Sequence, residues 1–101
     1  MKKTLSLLKQ QAMKIEHLGI AVKDLGISND LFTKLLGKSP YKEESVASEG
    51  VKTSFFAVGD SKIELVGSEK KDSAIEKYLD KNREGIHHIA FGVESIETEI
   101  E

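Results

Sequence analysis

The sequence contains no cysteine, which excludes a disulfide framework, a zinc finger, an iron–sulfur site and a thiolate nucleophile. No apolar run comes near the roughly 18 residues of a membrane span. Lys and Arg number 15 against 17 Asp and Glu, so the basic excess of a dedicated nucleic-acid binder is missing. There is no G-x-G-x-x-G motif, phosphate loop or G-x-S-x-G elbow. We therefore expect neither a nucleic acid nor a membrane as partner, and a cytoplasmic location.

What remains is enough for one small domain, since 39% of the 101 residues are apolar. Residues 1–13 have an apolar stretch too short for a secretory signal, so we expect a leader that is disordered or a short helix. Alternation of apolar residues predicts a strand over 15–22. Leu25, Ile27, Leu31, Leu35 and Leu36 predict one apolar face of a helix that starts at residue 24 and ends at Gly37.

The rest of the chain reads as strands followed by a helix and a further strand. A weak edge strand is predicted over 41–46, and two strands over 51–58 and 61–66 flank the hairpin signal Gly59-Asp60. Ser73 and Glu76 form a capping box that opens a helix to about residue 82. A strand over 86–93 and a helical start at Ser95 follow. The sequence thus predicts an α+β fold.

Two segments of the chain repeat each other. IEHLGIAV at 15–22 and IHHIAFGV at 86–93 lie 71 residues apart and match in apolar, small and histidine positions. The repeat predicts two β-α-β-β-β units, of which the second is incomplete at Glu101.

The strand pleat assigns the histidines to a face. Bulky residues of each repeat share one face, which we expect to pack against helices, whereas His17 and His88 share the other face with small residues that leave room for a pocket. Glu64 lies opposite the bulky Ile63 and Leu65 and is predicted on the pocket face. Two imidazoles and a carboxylate suit a divalent metal. A lone strand histidine is more often structural and a strand glutamate more often solvated, and we expect His87, on the bulky face, to be structural or to hydrogen-bond locally.

A family resemblance is found in three segments, IEHLGIAVKDL, VGDSKIELV and DSAIEKYLDKNREGIHHIAFGV. Together they resemble the vicinal oxygen chelate superfamily (glyoxalase, bleomycin resistance and dioxygenase), and within it the methylmalonyl-CoA epimerases. The resemblance implies a glyoxalase-like domain over 14–101. Its first unit covers about 14–66, a linker helix about 73–82, and the start of the second unit 86–101. In this fold of paired units, the truncated second unit lacks the strand that carries the fourth metal ligand.

The resemblance implies that His17, Glu64 and His88 bind a divalent metal, with Co, Zn, Mn and Ni all possible. It also implies epimerisation of methylmalonyl-CoA through a stabilised enolate, with an acyl-CoA thioester as partner, and a homodimer. The catalytic base is unassigned, because Thr53 stands where some family members have a glutamate.

Three other functions stay open at this point. A lactoylglutathione lyase (glyoxalase I) would act on a glutathione hemithioacetal with the same metal site. A metal-free binding module of the bleomycin-resistance type would sequester a small molecule. An incomplete fragment would be inactive.

Overall fold

The computed structural model describes residues 13–92, in which five strands form one mixed sheet with a helix on each face. The elements, in chain order, are β1 (Lys14–Ala21), α1 (Leu25–Leu36), β2 (Lys42–Val46), β3 (Val51–Val58), β4 (Ser61–Ser68), α2 (Ala74–Lys81) and β5 (Gly85–Gly92). The α+β prediction is confirmed, and each observed element lies within two residues of its predicted bounds. The leader, Val93 and the helix expected from Ser95 fall outside the described residues.

The sheet has the strand order β2-β3-β4-β1-β5. β1 pairs with β4 in parallel, and the other three pairings are antiparallel. The β-α-β-β-β unit therefore closes on itself, since the chain returns through a hairpin to place its last strand beside its first. β5, the first strand of the second repeat, joins the other edge of β1 and brings the two histidine-bearing strands into direct contact.

Local signals set the ends of α1. The Asp24 side chain accepts a hydrogen bond of 2.9 Å from the Ile27 amide, which caps the N-terminus. Gly37 ends the helix at φ 72°, in the left-handed region where a residue without Cβ is unstrained, and its amide donates to the Thr33 carbonyl. Both boundaries follow from residues that the sequence shows plainly.

The predicted apolar face of α1 is partly wrong. Leu25 and Leu36, together with Phe32, pack on a core of Val22, Phe56 and Leu65. The remaining three residues of the predicted face are largely exposed: Ile27 (69%), Leu31 (60%) and Leu35 (72%). They follow one another at intervals of four, so they form a separate stripe about a third of a turn away from the side that meets the sheet.

The bulky face packs against α1 as predicted, and α2 packs on the opposite face, for which no helix was predicted. Ile75 lies in a cluster with Ala21, Val51 and Val66, residues that share the pleat face of His17 and Glu64. Small and β-branched residues at this end of the face leave enough depth for the helix. α2 therefore forms a wall beside the histidines.

The antiparallel β1–β5 pair leaves apolar side chains in the open. Ile89 is 47% and Phe91 60% exposed on the face that carries α1. Within residues 13–92, no helix is both long and apolar enough to cross a membrane.

Candidate metal centre

Three side chains from three adjacent strands converge on the face beside α2. His17 comes from β1, Glu64 from β4 and His88 from β5. His17 Nε2 lies 3.1 Å from His88 Nε2, and Glu64 Oε1 lies 3.2 Å from His88 Nε2 and 3.6 Å from His17 Nε2. The predicted convergence is present, and these three atoms offer one donor each to a common centre.

The spacing of the three atoms suits a divalent cation. Metal–ligand bonds of roughly 2.0–2.2 Å put neighbouring ligand atoms about 3.0 Å apart in octahedral and about 3.4 Å apart in tetrahedral geometry. The observed separations of 3.1, 3.2 and 3.6 Å each lie within about 0.2 Å of one of these two values. The donor set, two imidazole nitrogens and a carboxylate oxygen on one side of the centre, is also the one that leaves further positions open for water or substrate. The residues present therefore fit the metal that the resemblance implies.

Backbone register explains how two bulky rings fit side by side. Gly19 stands directly opposite His88 across the β1–β5 ladder, and the His88 ring occupies the space where a Cβ of residue 19 would lie. A Cβ built on Gly19 would come within 2.0 Å of His88 Cε1. The small residues read from the repeat thus have a definite role, since Gly19 makes room for the partner histidine.

Glu16 holds the other ring nitrogen of His17. A bulge in β1 between Ile15 and His17 turns Glu16 toward the histidine side, where His17 Nδ1 donates to Glu16 Oε1 over 3.1 Å. Lys62 Nζ lies 3.2 Å from Glu16 Oε2. The hydrogen bond from His17 and then the one from Lys62 lower the pKa of the Glu16 carboxyl. Neither residue was predicted as part of the site, although a charged residue next to a candidate ligand was a visible signal.

His87 corrects a prediction. It lines the same cleft as His88 instead of lying on the bulky face, because a bulge between the Gly19 and Ile20 pairings shifts the alternation of β5. Its Nδ1 lies 3.0 Å from His88 Nδ1, so the expected local hydrogen bond is present, and its ring meets Tyr78 edge-on at 4.7 Å between centroids.

The centre opens into a cleft of about 610 Å³ between the sheet and α2. Glu64, His87 and His88 line it near the centre, and Val66 and Ile75 add apolar surface. A volume of this size suits a small-molecule site with a few polar groups on an apolar wall. His17 stands beside the cleft and directs Nε2 toward Glu64 Oε1 and His88 Nε2.

Thr53 also lines the cleft and is 5% exposed. Its hydroxyl donates to the Glu44 carbonyl over 3.5 Å, and Glu44 itself stands directly across the β2–β3 ladder. Directly opposed residues share a face, so the Glu44 carboxylate lies on the cleft side of Thr53, where it pairs with Lys42 at 3.2 Å. A carboxylate is therefore present one strand away from the position that Thr53 fills.

The chain is similar to proteins of known and unknown function. It is 36% identical over 84 residues to the mitochondrial methylmalonyl-CoA epimerase of Dictyostelium discoideum, covering 82% of this chain and 51% of that protein. The crystal structure of the hypothetical protein BH1468 from Bacillus halodurans C-125 superposes with a TM-score of 0.78 at 40% identity, covering 88% of this chain and 64% of that one.

A methylmalonyl-CoA epimerase in complex with methylmalonyl-CoA and NH4+ superposes with a TM-score of 0.73 at 31% identity, over 87% of this chain and 65% of that one. The chain thus spans about half to two thirds of the length of these relatives. The family model of the Glyoxalase/Bleomycin resistance protein/Dioxygenase superfamily matches residues 16–101. Fold, repeat and match agree, and the chain belongs to the Glyoxalase/Bleomycin resistance protein/Dioxygenase superfamily.

Proposed function

We propose that the chain provides the metal site of a metal-dependent methylmalonyl-CoA epimerase. The observation that supports this most is the convergence of His17 Nε2, Glu64 Oε1 and His88 Nε2 beside an open cleft that Glu64 and His88 help to line. Relatives named as methylmalonyl-CoA epimerases share the fold and about a third of the residues. The substrate class is then a CoA thioester with a carboxylate on the α-carbon.

We propose that His17, Glu64 and His88 are the ligands of a divalent metal ion. When bound, such an ion supplies positive charge that stabilises the negative charge developing on the thioester and carboxylate oxygens as the α-proton leaves. The two imidazoles are neutral donors and Glu64 contributes one negative charge, so net positive charge is left for the substrate oxygens. The apolar wall at Val66 and Ile75 limits water beside the reacting carbon.

Epimerisation also needs a group that removes the α-proton, and we propose Glu44 for this role. Thr53 is unsuited to it, because a neutral hydroxyl is a poor proton acceptor and this one already donates to a carbonyl. Glu44 lies next to Thr53 on the same face and is partly exposed to the cleft. Its carboxylate accepts the α-proton, which leaves the electron pair on the substrate as an enolate, and a second acid on the opposite face of the substrate then donates a proton and inverts the centre.

The test is exchange of the α-proton of methylmalonyl-CoA with solvent in D2O, measured by NMR in the presence of the protein loaded with Co²⁺ or Zn²⁺. We expect exchange that His88→Ala removes by weakening metal binding and that Glu44→Gln removes with metal binding intact. Glu43→Gln is the matched control, because the neighbouring glutamate points to the α1 side, where it accepts hydrogen bonds from Asn29 and Ser54.

Other outcomes separate the competing functions. Formation of lactoylglutathione from the hemithioacetal of methylglyoxal and glutathione, without exchange on methylmalonyl-CoA, would identify a lyase instead. Full exchange in Glu44→Gln would remove Glu44 from the mechanism while leaving the epimerase proposal in place. Purified protein that binds no divalent metal and exchanges no proton would contradict both proposals and favour a binding module.

A further inference from the structure

The surroundings of the two histidines obey an approximate two-fold symmetry. The β1–β5 ladder pairs His17 with Ala90 and Gly19 with His88, and these two pairs exchange under the 71-residue repeat. Leu18 and Ile89 pair with each other and are also repeat equivalents, so the axis passes between them.

The symmetry extends to the bulges. The ladder skips Glu16 in β1 and His87 in β5, and these two positions are again 71 residues apart. In each strand the extra residue turns toward the face of the histidine that follows it. Alternation in an unbulged strand would have sent both residues to the opposite face.

Both bulge residues make the same kind of contact. Glu16 Oε1 lies 3.1 Å from His17 Nδ1, and His87 Nδ1 lies 3.0 Å from His88 Nδ1. In both histidines the remaining nitrogen, Nε2, faces the common centre. Each bulge residue has a second contact, Glu16 an ion pair with Lys62 and His87 a perpendicular ring contact with Tyr78.

We infer that Glu16 and His87 are positioning residues, which hold Nδ1 of His17 and His88 so that Nε2 of each ring is directed at the metal. The inference rests on the proposed metal site. Its chemical basis is that a ring whose Nδ1 proton is engaged keeps one tautomer and one orientation, with the Nε2 lone pair free to coordinate. The two hydrogen bonds to Nδ1 differ in strength, because Glu16 is a charged acceptor and His87 a neutral one.

The experiment has two readouts on the same set of variants. Isothermal titration with Co²⁺ and Zn²⁺ measures affinity, and ¹⁵N NMR of the imidazoles in the metal-free protein measures which nitrogen of His17 carries the proton. We expect Glu16→Ala to weaken binding roughly ten- to hundredfold and to mix the His17 tautomers. Glu16→Gln keeps an acceptor oxygen and should recover most of the affinity, and Lys62→Met should cause a smaller loss in the same direction.

His87→Ala should weaken binding by a comparable or smaller factor and disturb the signals of His88 only. Glu43→Ala is the matched control, since it removes a strand glutamate from the opposite face. Wild-type affinity in both Glu16→Ala and His87→Ala would overturn the inference. A loss of affinity without any change in the tautomers of His17 and His88 would also overturn it, because Glu16 and His87 would then have a purely structural role. If the unsubstituted protein binds neither cation, the metal proposal fails, and unchanged tautomers in the variants would then reject the positioning role separately.

Discussion

Gly19→Ala should greatly weaken metal binding while changing the free energy of unfolding only slightly. The added Cβ would lie 2.0 Å from His88 Cε1 and 2.4 Å from both ring nitrogens, whereas ordinary contact begins at 3.4 Å. The ring must therefore retreat by at least about 1 Å at each of these atoms. Metal–ligand bonds at well-formed sites stay within about 0.2 Å of their standard lengths, so a shift of about 1 Å takes the ring nitrogen out of bonding distance. We expect His88 to leave the centre.

The cost to folding should be small by comparison. The His88 side chain is 39% exposed, so it can swing toward solvent without being pressed into a packed core. Overpacking in a rigid core costs about 1–3 kcal/mol. For Gly19→Ala the overpacking cost should lie near the lower end of this range. Alanine also reduces the conformational entropy of the unfolded chain, which stabilises the fold by about 0.4–1 kcal/mol. The free energy of unfolding should change by less than about 2 kcal/mol, whereas metal affinity should fall by more than roughly a hundredfold, since loss of an outer-shell partner alone costs up to that factor.

Titration calorimetry with Co²⁺ and urea unfolding of the metal-free protein test the two halves of this prediction. Gly92→Ala is the control, because a Cβ there lies 3.5 Å from Lys14 Cγ, in ordinary contact, on the same strand pair. Unchanged Co²⁺ affinity in Gly19→Ala would refute the assignment of His88 as a ligand. A loss of affinity matched by a collapse of stability would refute the argument that the ring yields freely.

Three further predictions concern the fold. Ser73→Ala removes the oxygen that caps the Glu76 amide and should lower the free energy of unfolding by about 1–2 kcal/mol in urea melts, whereas exposed Ser48→Ala should change it by less than about 0.5 kcal/mol. Leu65→Ala, at a fully buried position, should cost about 2–5 kcal/mol, and a smaller loss would contradict the core assignment. Phe91→Ser, at a 60% exposed position, should reduce self-association in sedimentation velocity, and equal association would show that this surface is not what joins copies of the chain.

Most of the helix and strand boundaries could be predicted from local sequence signals. The Asp24 and Ser73 caps, the left-handed Gly37 and the Gly59-Asp60 turn act through neighbours within four residues, so their effects can be read without knowing the fold. The pleat then placed His17, Glu64 and His88 on one face, because a period of two holds wherever a strand is regular. Convergence of three residues far apart in sequence followed from these local rules and the repeat.

The errors arose where tertiary packing decides. Leu31 and Leu35 are as apolar as Leu36, and the rotation of the helix about its own axis against the sheet determines which of them is buried. α2 packs beside the histidines because the short side chains of Ala21 and Val66 leave space for a helix there. A prediction that places helices on the bulkier face of the sheet puts α2 on the wrong side. Composition does not distinguish an apolar stripe that meets the sheet from one that does not.

His87 shows a different limit, because the bulge that redirects it depends on pairing with another strand. Alternation counted along β5 alone puts His87 with Ile89 on the bulky face, and only the ladder with β1 reveals the extra residue. The repeat nevertheless contained the information. Glu16 and His87 are equivalent positions directly before equivalent histidines, so an irregularity required at one was to be expected at the other. The same short pattern, a polar bulge residue, a histidine, an apolar residue and a small one, builds each side of the centre, and in the first copy the small residue, Gly19, leaves space for the ring of His88.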